Sequence, residues 1–266
     1  MTGGRRMIKI ALAQMDVRWA EPDANLATAR RMVAQAAKAR ADVVVLPELW
    51  GSGYDLAHAA DLATSIHAGL FREMAALARR HDLYLVGSLL EASAGHIHNT
   101  CAFLGPQGLV GSYRKLHLFR LMAEDRYLSP GDQPGLYDAP PWGMTALAIC
   151  YDLRFPELFR GYALAGARLM VIPAEWPAPR IDHWRTLLRA RAIENQCVVA
   201  ACNRVGADRD NVFGGASAVV GPWGETLVEG DDHPALLMAQ VDLAQVDEAR
   251  RRIPVLSDRR PECYRL

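Results

Sequence analysis

The sequence has no CxxC pair and only five cysteines, Cys101, Cys150, Cys197, Cys202 and Cys263. A sparse, odd-numbered set excludes a disulfide framework and fits free thiols in a reducing compartment, the cytoplasm. No apolar run approaches the roughly 18 residues that a membrane-spanning helix needs. The segment Met1-Thr-Gly-Gly-Arg-Arg-Met7 lacks the apolar stretch of a secretory signal, so residues 1–6 read as a solvated lead-in, with Met7 an alternative start. Neither sign of charge is in excess: Lys plus Arg is 30 and Asp plus Glu is 30. That balance argues against nucleic acid held by bulk charge and against a polybasic membrane binder. Also missing are the HExxH zinc helix, the P-loop, and a glycine-rich dinucleotide turn placed between a strand and a helix.

What is present describes a folded enzyme-sized chain. A hydrophobic fraction of 51% with 23% charged residues is too apolar for disorder. A chain of this length buries about three quarters of its unfolded surface and needs no staples. Ile8–Ala13 reads as a strand, and Asp23 to about Ala41 as a helix with Leu26, Ala29, Met32, Val33 and Ala36 on one face. Asp42–Leu46 is a buried strand stopped by Pro47. A helix is expected over Gly69–His81 and a strand over Leu83–Gly87. Ile97–Leu104 and Val110–Tyr113 flank a Gly-Pro-Gln-Gly turn as antiparallel strands. The stretch Lys115–Pro141 carries little periodicity and reads as loop. Thr145–Ile149 is a strand, Pro156 opens a helix, and Leu169–Ile172, Ile181–Asn195 and Cys197–Cys202 continue as strand, helix and strand. Ser217–Val220 and Thr226–Val228 form a hairpin around Gly221-Pro-Trp-Gly, and Leu236–Val241 is the last strand. Two similar β-α-β-α-β-β-β halves without a linker give one α/β domain over residues 7–266. Pattern alone does not separate two packed sheets from one doubly wound sheet.

Three residues invite chemistry. Cys150 ends an apolar strand just before a helix, the place of a nucleophile on a sharp turn. A helix N-terminus there favours thiolate; the plain alternative is a buried cysteine used as a small hydrophobe. A thiol nucleophile needs a base, and none of the eight histidines is an obvious one. His96 and His98 share a strand face but lack a third ligand, so no metal site is expected. Glu48, just past Leu46-Pro47 at the carboxyl end of a strand, is the better base, since burial can raise a carboxyl pKa into the working range; otherwise it is a loop acid or helix cap. Lys115 ends another strand, and alone would pass for a surface lysine.

Taken together, these stretches resemble the nitrilase superfamily, the carbon–nitrogen hydrolases. Leu46-Pro-Glu48-Leu-Trp matches its glutamate motif, Tyr113-Arg-Lys115-Leu-His-Leu-Phe its lysine motif, and Ile149-Cys150-Tyr-Asp-Leu-Arg-Phe-Pro-Glu157 its cysteine motif. Pro130-Gly131, Ala190–Asn195, Pro222-Trp-Gly-Glu and the tail Arg251–Tyr264 match as well, so the resemblance runs from about Met7 to Tyr264. It implies a four-layer α-β-β-α sandwich of two packed mixed sheets with outer helices, paired helix face to helix face as a homodimer. It also implies Glu48 as general base, Lys115 as oxyanion-stabilising cation, Cys150 as nucleophile, and the Tyr151 backbone N–H as second oxyanion donor. Glu124, nine residues beyond Lys115, occupies the position of a second glutamate common in the family. Leu118–Glu124 without an insertion, and Ala174-Glu-Trp-Pro-Ala-Pro-Arg180, look like the bacterial omega-amidase branch.

The implied reaction is hydrolysis of a small ω-amide of a dicarboxylic acid, such as 2-oxoglutaramate, through a cysteine thioester, with no metal or organic cofactor. An N-carbamoyl amino-acid amidohydrolase or a deaminated-glutathione amidase is the alternative within the superfamily. A non-catalytic binding protein is the remaining one. Nitriles are disfavoured, because Cys150-Tyr-Asp replaces the Cys-Trp-Glu usual in true nitrilases. Arg154 is a candidate for the substrate carboxylate, unless it braces Glu157 or another acid. Trp176 and Tyr54 are candidates for the apolar wall.

Overall fold

The computed structural model describes residues 7–140 and 142–264; the lead-in expected over residues 1–6 lies outside them. In chain order the strands are β1 (Met7–Gln14), β2 (Val43–Val45), β3 (Tyr84–Ser93), β4 (His96–Gly105), β5 (Gly108–Arg114), β6 (Gly135–Ala139) and β7 (Gly143–Leu147). They continue as β8 (Leu169–Ala174), β9 (Val198–Asn203), β10 (Val205–Ala207), β11 (Val212–Gly214), β12 (Ala218–Val220), β13 (Thr226–Glu229) and β14 (Ala235–Asp242). The α-helices are α1 (Pro22–Lys38), α2 (Ala59–Leu62), α3 (Gly69–His81), α4 (Glu124–Tyr127), α5 (Pro156–Leu164), α6 (Ile181–Asn195) and α7 (Ala244–Arg252). Two six-stranded mixed sheets result, ordered β14-β1-β2-β3-β4-β5 and β13-β12-β9-β8-β7-β6.

The two-residue period of a strand builds the layers. In β1, Ile8, Ile10 and Leu12 join the core shared with the second sheet, whereas Ala11 and Ala13 face the helices. Val43 and Val45 of β2 and Cys101 and Phe103 of β4 point to that shared core; Val44, Ala102 and Leu104 point to the helices. On the outer face, Leu26, Ala29, Met32, Val33 and Ala36 of α1 and Phe71, Met74, Leu77 and Ala78 of α3 cover the first sheet. Phe159, Tyr162 and Ala163 of α5, with Trp184, Leu188 and Ala192 of α6, cover the second. Strands buried on both faces explain why these segments read as continuous apolar runs. The architecture is the expected α-β-β-α sandwich.

Four readings need correction. The first helix stops at Lys38 instead of Ala41, because Arg40 takes a left-handed φ of 59° and turns the chain into β2. The strand read as ending at Gly87 continues to Ser93; the missing side chain there admits Leu46 and Trp50, whose nearest atoms would lie 2.9 and 3.1 Å from a Cβ. The stretch read as loop between Lys115 and Pro141 contains α4 and β6, the latter a short edge strand antiparallel to β7. Finally, the last strand does not complete the second half. β14 pairs with β1 along its whole length, from Met7 opposite Asp242 to Gln14 opposite Ala235.

Candidate active site

The site lies at the carboxyl ends of the parallel strands, where an α/β sheet leaves a crevice. Glu48 follows β2 through Leu46 and Pro47, and the next residue, Leu49, takes a left-handed φ of 40°. This tight turn is pinned by the Leu49 N–H donating to Ser88 Oγ at 2.9 Å. Lys115 follows β5, Glu124 opens α4, and Cys150 follows β7. Cys150 itself has φ 44°, a conformation that non-glycine residues avoid. The 3₁₀ turn Cys150–Arg154 begins there, its first bond running from Asp152 N–H to Ile149 O at 2.9 Å, so the Tyr151 N–H lies ahead of that bond.

The structure brings Glu48, Lys115, Glu124 and Cys150 together in a dry cluster. Glu48 and Glu124 are 0% exposed and Lys115 1%. Lys115 Nζ donates to Glu48 Oε1 at 2.7 Å and to Glu124 Oε1 at 2.8 Å. Asn99 Nδ2 donates to Glu48 Oε1 at 2.8 Å, and the Glu175 N–H donates to Glu48 Oε2 at 2.8 Å. Glu124 Oε2 accepts the Phe119 N–H at 2.5 Å. Burial alone would lower the Lys115 pKa, but Glu124 and Glu48 overcome it and hold the ammonium above its ordinary range. Burial pushes Glu124 upward despite Lys115.

Two placements differ from expectation. Tyr54 is not an apolar wall: its hydroxyl lies 3.0 Å from Glu48 Oε1 and 3.1 Å from Glu124 Oε1, able to donate to either. Its pKa is raised by burial and by those two carboxylates. Cys150 is not held as thiolate. Burial first, then the Glu48 carboxylate, raises its pKa, and Lys115 offsets this only in part. The helix dipole does not rescue the thiolate, because Cys150 opens a 3₁₀ turn and α5 starts only at Pro156.

Beside the thiol is a narrow cleft lined by Phe119, Tyr151, Arg154, Trp176, Pro177 and Arg180, with free space of only about 10 Å³. Arg154 lies over the Trp176 ring, 4.7 Å from its centre, with its nitrogens 3.4 and 3.5 Å from His183 Nδ1. Among the described residues it forms no ion pair with Glu157 or any other acid, so the bracing alternative has no support here. Glu157 stands exposed in the first turn of α5.

Sequence reasoning missed several supporting residues. Buried Asp152 accepts four hydrogen bonds: Tyr113 OH at 2.8 Å and the Ile149 N–H at 2.9 Å on Oδ2, His117 Nδ1 at 2.7 Å and the His117 N–H at 3.0 Å on Oδ1. It ties the nucleophile turn to the lysine loop. Its only sequence signal is its place inside the cysteine motif. Asn99 is one of several polar residues in the first half of β4, with His96, His98 and Thr100, so it stands out only once the facing carboxylates are known. Glu175 is wholly buried, with Oε2 3.2 Å from Arg204 Nη1 and Oε1 without a partner. Burial raises its pKa to about 8. His96 and His98 turn their Nδ1 atoms to Ser129. Among the described residues the one acid–histidine group compact enough for a metal, Asp231-Asp232-His233, is on the exposed surface, outside this cluster.

Comparisons with known proteins agree with this geometry. The family model for carbon-nitrogen hydrolase matches residues 9–251. A 2-oxoglutaramate amidase of Bacillus subtilis is 41% identical over 257 residues, 96% of this chain and 98% of its own. The omega-amidase of Mus musculus is 36% identical over 271 residues, 96% of each. A CN-hydrolase superfamily protein of Xanthomonas campestris, solved with an arsenic adduct in its active site, superimposes with a TM-score of 0.90 at 30% identity, over 96% of this chain and 98% of that one. A variant of the amidase from Nesterenkonia sp. AN1 gives 0.85 at 30% identity, over 96% and 95%; it carries the acetamide moiety of fluoroacetamide on its active-site cysteine. This chain is a member of the carbon–nitrogen hydrolase family.

Proposed function

We propose that the protein hydrolyses the terminal amide of a short dicarboxylic acid, of the 2-oxoglutaramate type, to the acid and ammonia. The observation that carries this reading is the buried Lys115 held between Glu48 and Glu124 beside the buried Cys150 thiol. The relatives named for 2-oxoglutaramate and omega-amides support the substrate class.

Glu48 takes the Cys150 proton as Sγ attacks the amide carbon, and the carbonyl oxygen becomes an oxyanion. Lys115 has three N–H bonds; two point to carboxylates, and the third, now only weakly engaged by Tyr54 OH at 3.4 Å, turns to the oxyanion together with the Tyr151 N–H. Glu48 then passes its proton to the amide nitrogen, the C–N bond breaks and ammonia leaves. Water attacks the thioester, giving its proton to Glu48. The C–S bond breaks, and that proton returns to sulfur. Glu124 holds Lys115 in register, and Tyr54 links the two carboxylates. Arg154 receives the far carboxylate and Trp176 supports it.

Ammonia release across a panel of ω-amides, N-carbamoyl amino acids and nitriles tests the reading; turnover confined to the carbamoyl compounds would end it. Cys150→Ala should abolish turnover with the melting temperature retained. Two further proposals concern setting. Exposed Leu164, Ile193 and Ile253 give the helix layer over the second sheet an apolar face suited to a homodimer, measurable by sedimentation. Five free cysteines, four of them buried, suit a reducing cytoplasm, to be checked by fractionation.

A further inference from the structure

The pocket beside Cys150 holds more positive charge than one substrate carboxylate requires. Arg180 lines it together with Arg154. Its guanidinium sits 5.7 Å from the centre of the Phe119 ring, and its backbone oxygen accepts the Trp176 Nε1–H at 2.8 Å, which fixes the segment. Among the described residues neither guanidinium has a carboxylate within ion-pair distance, whereas half-buried Arg114 has Glu91 and Arg168 has Asp247. No acid lines the pocket. Burial depresses Arg154, and the charge of Arg180 adds to this, so the two cations press on each other. His183 Nδ1 lies 3.4 Å from Arg154 Nη2 and offers it an acceptor without a charge. Two cations lining one pocket without a counter-ion are unfavourable until an anion joins them.

We infer that Arg180 is a second anion anchor alongside Arg154, and that the pair selects ω-amides whose carbon beside the carboxylate carries no cation. Unsubstituted and 2-oxo acids satisfy both guanidiniums. An α-amino acid amide carries its ammonium on the carbon next to the carboxylate, where it meets two like charges and no acid to pair with. The inference rests on the proposed amide hydrolysis and adds to it a discriminating residue and a rule about charge.

The test uses the full-length protein and three amides of one chain length: glutaramate, L-glutamine, which differs from it by the α-ammonium, and neutral pentanamide. Wild type should favour glutaramate over L-glutamine by about 100-fold or more in kcat/KM, the scale on which a mismatched buried charge acts. Arg180→Met should lower the glutaramate-to-pentanamide ratio about tenfold or more, through KM, as loss of a charge-assisted bond does. It should narrow the glutaramate-to-glutamine ratio by a similar factor. Arg180→Lys keeps the cation and should retain most of the discrimination against glutamine. If either ratio in Arg180→Met stays within about twofold of wild type, the assignment is overturned while the amidase reading stands. If wild type cleaves pentanamide but neither acid, both fall together.

Discussion

Cys150 combines a left-handed backbone with a thiol whose pKa is raised, and both features follow from the company it keeps. The β7 strand and the 3₁₀ turn meet at too sharp an angle for an ordinary φ, so the Cβ is presented to the cleft at a conformational cost of roughly 1–3 kcal/mol. Asp152, the residue that binds Ile149 and His117 at once, holds the turn in that state. A thiol whose pKa is raised beside a carboxylate fits the proposed role of Glu48, in which the proton moves to it during attack. Replacing Glu48 by Gln removes the main charge that raises the thiol while Lys115 remains. The variant should therefore lose turnover by at least about 100-fold, as for loss of a general base, yet its thiol should ionise at lower pH. Alkylation by iodoacetamide, followed by intact mass against pH, reads this directly. An alkylation midpoint that stays put or moves upward would sink the neutral-thiol account. Lys115→Ala should lose about 100–1,000-fold, the usual effect of one missing oxyanion donor; retention of more than about a tenth of wild-type activity, only ~1.4 kcal/mol, would remove that role.

The elements that were legible in the sequence are those whose own pattern decides them. α3 and α6 fall on the residues that helical periodicity marks, Gly69–His81 and Ile181–Asn195. Each is closed by a left-handed residue, Asp82 at 50° and Gln196 at 48°. β6, by contrast, is an edge strand whose partly exposed residues carry no alternation. α7 buries only Val246 and Ala249 among charged neighbours, too few to announce a helix. The three stretches around Glu48, Lys115 and Cys150 were weak signals one by one, and became legible because together, in order, they resemble the motifs of the nitrilase superfamily. Asn99 and Asp152 were not, since their partners are 51 and 39 residues away in sequence, at Glu48 and Tyr113. Asp152 offers a test of how far one such side chain holds two elements in register. Asp152→Asn keeps the shape but presents an NH₂ group to donors on one side, and a buried donor left unmatched costs about 1–3 kcal/mol. The variant should melt at lower temperature, and its kcat should fall with KM little changed, because the pocket arginines are untouched. A kcat equal to that of wild type would show that the lysine loop and nucleophile turn keep their places without it.

The two sheets meet where β1, β8 and β9 end, and the buried Arg204 side chain joins them there. Arg204, just past β9, reaches Glu175 after β8 and Asp16 and Val17 after β1. That β14 closes the first sheet across more than two hundred residues, and that this junction exists at all, depends on contacts no local pattern encodes. Glu175 is the weak point of the junction. Its backbone N–H supports Glu48, but its carboxyl is fully buried, one oxygen lacks a partner, and Arg204 is shared with the carbonyls of Val17, Val205 and Ala207. Burial therefore outweighs the guanidinium and lifts the pKa from the ordinary 4.5 to about 8. A carboxyl raised in the folded state binds its proton where the unfolded chain has already lost it, so stability falls as pH rises between those two values and levels off beyond the upper one. Glu175→Gln removes this dependence and keeps the Glu48 hydrogen bond, which comes from the backbone. The difference in melting temperature, variant minus wild type, should thus grow more positive from about pH 5 to about pH 8 and flatten above it. The other titrating groups cancel in that difference. A value that is constant across the range would mean that Glu175 is ionised throughout and that Arg204 fully compensates its burial.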